Sequence, residues 1–95
     1  MPYPFDLIRL IDICRQNKVS FVGLFGSMAR GDATDKSDID LLVRFSEPRS
    51  LLALVRLQRE LSAALGRSVD VLTEGAISPY MREDILGDLQ VIYEA

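Results

Sequence analysis

Apolar residues along the chain recur first with helical spacing, then in alternation, and the switches between the two periods predict its elements. In YPFDLIRLIDICRQNKV, Leu7, Ile8, Ile11 and Cys14 fall at helical intervals and Pro4 suits a helix beginning, so the pattern predicts a first helix. Leu10 and Ile13 widen its apolar stripe beyond one face, as deep burial or a surface shared with a partner would require. VSFVGLFG is β-branched and aromatic and too short for a stable helix, and reads as a buried strand that ends at a Gly-Ser turn. DIDLLVRF alternates: Ile39, Leu41, Val43 and Phe45 point one way, and Asp38, Asp40 and Leu42 the other.

Ser50 then offers an N-cap, Leu51, Leu54, Val55, Leu61 and Leu65 return to helical spacing, and Gly66 offers a stop. SVDVLT predicts a third strand with Val69 and Val71 on the apolar side and Asp70 on the other. The tail SPYMREDILGDLQVIYEA predicts a short helix over about 79–86 and an edge strand at 90–93. This order predicts an α/β fold, a small mixed β-sheet with helices packed on one face. With 95 residues, the expectation is a single domain spanning 1–95.

Composition narrows the chemistry. The chain has no histidine, which removes Ser-His-Asp catalysis, an imidazole base and His-containing zinc sites. Cys14 is the only cysteine, so no internal disulfide forms, and it is expected to pack as a small apolar residue. A net charge of −3 argues against holding a nucleic acid through its phosphates, although Arg49, Arg56, Arg59 and Arg67 gather in and around one predicted helix, where they read as a solvated face. Neither a signal-peptide pattern nor an apolar run long enough for a bilayer is present, so a cytoplasmic location is expected.

What remains is carboxylates, hydroxyls and metal. Asp38 and Asp40 sit two apart on a strand, about 6.5–7 Å along the backbone, and so share a face. Carboxylates set into an apolar strand are costly unless something cationic meets them, and a divalent ion such as Mg²⁺ prefers such hard oxygen ligands together with substrate phosphates. Asp70 on a neighbouring strand would make three carboxylates, enough for two metal ions, the alternative being pairing with Arg30, Lys36 or Arg44. In FGSMARG, Gly26 permits close backbone approach, and Ser27 opens a helical turn whose hydroxyl and N–H groups can meet a phosphate. Arg30 can serve phosphate or an aspartate, and Ser37 can orient an aspartate or cap the strand end.

GSMARGDATDKSDIDLLV resembles the signature of the DNA polymerase β-like nucleotidyltransferase superfamily in its minimal, MNT-type form: Gly-Ser followed by a spaced Asp-x-Asp. The resemblance implies the polymerase β-like core and nucleotidyl transfer with Mg²⁺ and ATP. It implies that Gly26 and Ser27 hold the triphosphate, that Asp38 and Asp40 bind metal, and that Asp70 helps activate the attacking hydroxyl. It further implies an antitoxin that transfers AMP to a tyrosine of an HEPN-type toxin and assembles with it. The alternative is a non-catalytic antitoxin that neutralises its partner by contact alone.

Overall fold

The computed structural model describes residues 3–95. Helix α1 (Leu7–Gln16) leads into β1 (Val19–Phe25), the one-turn helix α2 (Ser27–Arg30) and β2 (Ile39–Phe45). Helix α3 (Leu51–Leu65), β3 (Val69–Thr73), a 3-10 turn (Glu74–Ala76), α4 (Arg82–Asp88) and β4 (Gln90–Glu94) complete the described chain. The four strands form one mixed sheet in the order β3-β2-β1-β4. β1 runs antiparallel to both β2 and β4, whereas β2 and β3 are parallel and are joined through α3.

The caps explain where the helices lie. α1 starts at Leu7 because the Asp6 side chain accepts from the Arg9 N–H, so Pro4 stands before the helix and does not begin it. Ser50 caps α3 by accepting from the Ala53 N–H, and Gly66 ends it in the left-handed region at φ 64°. α4 begins at Arg82, three residues beyond the predicted start at 79, and ends at Asp88.

The main core lies between the sheet and α1 with α3: Ile39, Leu41, Val43, Val69 and Val71 meet Leu10, Ile13, Cys14, Leu57 and Leu61. The alternation in β2 and β3 is therefore as read from the sequence. The helical stripes are rotated from it. In α1 the buried residues are Leu10, Ile13 and Cys14, and Ile8 is 71% exposed; in α3, Leu57 and Leu61 are buried while Leu51 is 77% and Val55 37% exposed. Both helices carry apolar side chains over more than half their circumference, and the sheet selects which arc is buried.

A second, smaller cluster of Phe25, Leu42 and Ile85 lies on the other face, with Leu72, Ile77 and Leu89 against it. Gly23 makes room for it, since a Cβ there would collide with the Leu89 side chain. At the β3 edge, the Val69 and Val71 N–H groups donate to Ser62 Oγ (3.1 Å) and Gln58 Oε1 (2.9 Å) of α3. Those bonds fix β3 beside β2 and leave fewer free donors along that edge.

Candidate active site

Three strands deliver the site in one row. Phe25 of β1 is the register partner of Asp40 in β2, and Asp40 is in turn the partner of Asp70 in β3. Directly opposite residues on neighbouring strands point to the same face. Asp40 and Asp70 therefore project together from the face opposite the main core, next to the cluster built on Leu42. Asp38 lies one residue before β2 and is exposed, as is Asp70, whereas Asp40 is half-buried.

Burial raises the Asp40 carboxyl above the ordinary carboxylate range, the Asp70 and Asp38 charges raise it further, and Arg30 opposes them. Asp40 thus lies within the electrostatic reach of both other aspartates. Among the described residues, no three Asp, Glu, His or Cys side chains stand close enough to form a finished cation cage. The donor set nevertheless fits Mg²⁺: its ligands are hard oxygens, a cation would relieve the strained charge on Asp40, and such sites take their remaining oxygens from water and substrate phosphate.

Gly26 caps α2 at φ 73° and ψ −154°, a region only glycine enters without strain. A Cβ at this position would strike Asp40 Oδ2, so the backbone of the turn lies directly against the carboxylate. That contact joins the Gly-Ser turn to the aspartates. Ser27 follows at the start of α2, where the first N–H groups have no partner within the helix.

The other expected site residues are placed differently. Arg30 bonds Asp88 at 2.8 Å and Asp32 at 3.2 Å, so its guanidinium meets carboxylates from the loop after α2 and from α4. Ser37 uses its hydroxyl to accept from the Thr34 N–H at 2.8 Å, closing the turn that leads to Asp38. Sequence reasoning missed the support behind α2: Gln90 donates to the Ala29 carbonyl at 2.8 Å and accepts from the Tyr3 hydroxyl at 2.6 Å. These partners lie 61 and 87 residues apart, so no local spacing signals them. Cys14 is fully buried against the main core, and burial pushes its thiol up to about 12, which makes it inert packing.

A family model described as a nucleotidyltransferase domain matches residues 7–92, a span that includes every residue of this row. The chain belongs to the nucleotidyltransferase domain family. A Methanocaldococcus jannaschii protein named as a candidate protein adenylyltransferase, MJ0435, is 45% identical over 80 residues, covering 84% of this chain and 86% of that one. Among solved structures, a chain of a toxin–antitoxin complex with AMP-PNP superposes with a TM-score of 0.82 at 24% identity, covering 95% of this nucleotidyltransferase and 74% of that chain. A chain from the complex of tri-AMPylated Shewanella oneidensis HEPN toxin with MNT antitoxin superposes with a TM-score of 0.73 at 22% identity, covering 94% and 70%. The likeness to these two complexes is one of fold. As a nucleotidyltransferase, the protein takes a nucleotide as substrate, and among the described residues no helix is long and apolar enough to cross a membrane.

Proposed function

We propose that this nucleotidyltransferase transfers AMP from Mg²⁺-bound ATP to a tyrosine hydroxyl of an HEPN-type toxin and so acts as its antitoxin. The observation that carries the reading is the close approach of Gly26 to Asp40, which is in register with Asp70, so that the Gly-Ser turn and two carboxylates lie side by side, as a triphosphate with its cation would need. The adenylyltransferase name of the archaeal relative and the AMPylated toxin in the Shewanella complex support the choice of AMP and of a protein acceptor. Bound Mg²⁺ would offset the negative charge that builds on the transferring phosphoryl group.

The chain's own residues then have separate tasks. Asp38 and Asp40 would hold the cation, and the Gly26–Ser27 backbone would seat the triphosphate. The acceptor oxygen bonds to the α-phosphorus as the bond from that phosphorus to the bridging oxygen of pyrophosphate breaks. The hydroxyl proton passes to the Asp70 carboxylate, which is exposed and can release it to water. Pyrophosphate leaves with the electrons of the broken bond.

The test incubates the chain, Mg²⁺ and ATP with the toxin and weighs the toxin by mass spectrometry. Wild type should add AMP units, and Asp40→Asn should reduce the rate by at least about 10²–10³-fold, the scale of losing one group that stabilises transition-state charge. A toxin neutralised equally by both proteins, with no gain in mass, would instead establish neutralisation by contact alone.

A further inference from the structure

Asp38 is the only one of the three aspartates outside the strands, yet its backbone is held on both sides. On one side, the Ile39 N–H donates to the Ser68 carbonyl at 2.9 Å. On the other, Arg67 Nη1 donates to the Ser37 carbonyl at 2.8 Å and to the Thr34 carbonyl at 3.1 Å. The Ser37 carbonyl belongs to the peptide that joins Ser37 to Asp38, so the guanidinium fixes the plane from which the Asp38 side chain departs. Nη1 carries two hydrogens, one for each carbonyl, and a charged donor makes the stronger kind of hydrogen bond.

The turn gripped in this way is already closed within itself. Thr34 N–H donates to Ser37 Oγ, and Ser37 N–H donates to the Thr34 carbonyl at 3.1 Å. Arg67 therefore holds a small rigid unit and not a loose loop. The side chain is half-buried, and among the described residues it forms no ion pair, its hydrogen bonds going to the two backbone carbonyls. Arg67 and Ser68 lie just before β3, and Asp70 follows two residues later. One short segment thus clamps the first carboxylate and supplies the third.

We infer that Arg67 is a positioning residue that sets Asp38 relative to Asp40 and Asp70 for a divalent cation carried by a nucleoside triphosphate. The inference rests on the nucleotidyl-transfer reading of the site. Lysine would keep the charge but could not present the paired N–H groups of one fixed guanidinium nitrogen. Glutamine would keep a donor and lose the charge.

Isothermal titration calorimetry tests this with two probes, preformed Mg²⁺–ATP and ATP in EDTA, on wild type, Arg67→Gln and Arg67→Lys at a temperature where each is folded. Arg67→Gln should weaken Mg²⁺–ATP binding about 10–100-fold, the usual scale for losing a group that supports a metal ligand, and leave ATP binding in EDTA unchanged. Arg67→Lys should show a smaller loss of the same kind, and it carries the test if the glutamine variant does not fold. A purely structural arginine would lower the melting temperature and leave both affinities of the folded protein alone. Equal loss for both probes, or no loss for either, overturns the inference while leaving nucleotidyl transfer standing. A wild type that binds neither probe would overturn both.

Discussion

On the face covered by α1 and α3, Ile39, Leu41, Val43, Val69 and Val71 meet Leu10, Ile13, Leu57 and Leu61 in one buried cluster. On the opposite face, the same two strands carry Asp40 and Asp70 beside a cluster built on only Phe25, Leu42 and Ile85. The first face supplies the apolar burial that holds the sheet together. The second carries an Asp40 carboxylate disfavoured by burial and its acidic neighbours, and a turn whose backbone only glycine adopts without strain. A sheet anchored firmly from one side can hold such groups on the other in a fixed arrangement, and this division of labour makes the site compatible with so short a chain.

The largest expected effect attacks the anchored face. Leu41→Ala removes a fully buried side chain from the centre of the main core and should cost about 2–5 kcal/mol in denaturant unfolding. A loss below that range would mean that the site face contributes more of the burial than its small cluster suggests.

Next comes the contact between the turn and the carboxylate. Gly26→Ala should cost about 1–3 kcal/mol from the positive φ alone, with the collision against Asp40 added to it. A double-mutant cycle separates these contributions, because Gly26→Ala made in an Asp40→Ala background keeps the backbone cost and loses the collision. Strict additivity of the two substitutions would show that the turn and Asp40 are not in contact in solution.

A smaller effect of opposite sign should come from the strained charge. Burial and the neighbouring aspartates raise the Asp40 carboxyl in the fold, so the folded state favours its protonated form. Stability of the metal-free protein should therefore fall as pH rises from about 4, the unfolded value, through the raised folded value. Asp40→Asn has no such slope. In EDTA it should melt above wild type, by no more than about 4–8 °C, the shift that 1 kcal/mol produces in a domain this small. The gap should widen with rising pH across that acid window and stay constant at neutral pH. A variant that melts below wild type in EDTA would assign Asp40 to a stabilising ion pair.

The smallest effect is expected at the other end of the site face, where Arg44 pairs with Glu74 and lies over the Phe21 ring. Both partners of the ion pair are about half exposed, so Glu74→Gln should change stability by less than about 1 kcal/mol. A larger loss would show that this end of the sheet depends on charge as the site end does.

Alternation along β2 and β3 was legible because a strand has a period of two, and Asp40 and Asp70 could be assigned to one face from their neighbours alone, whereas Asp38, read as part of the strand, lies one residue before it. The Gly-Ser turn, both caps of α3 and the edge strand at the end were legible for similar reasons, since each depends on residues within a few positions. The phase of α1 was not. Leu7, Ile8 and Ile11 form as good a stripe as Leu10, Ile13 and Cys14, and only the position of the sheet decides between them. Arg67 read as part of a solvated face because its partners, Thr34 and Ser37, lie 33 and 30 residues away.

Local sequence by itself determined the identity of the main elements, the buried side of β2 and β3 and the residue types available for chemistry, because those follow from short-range periodicity and from an inventory without histidine. Tertiary structure alone decided that Asp40 and Asp70 are register partners, that the space a Gly26 side chain would need is taken by Asp40, and that Arg67 grips the peptide before Asp38. The physical reason is common to all three. Each depends on where strands dock beside one another, and docking is settled by burial of the opposite face, which no single stretch of the chain encodes.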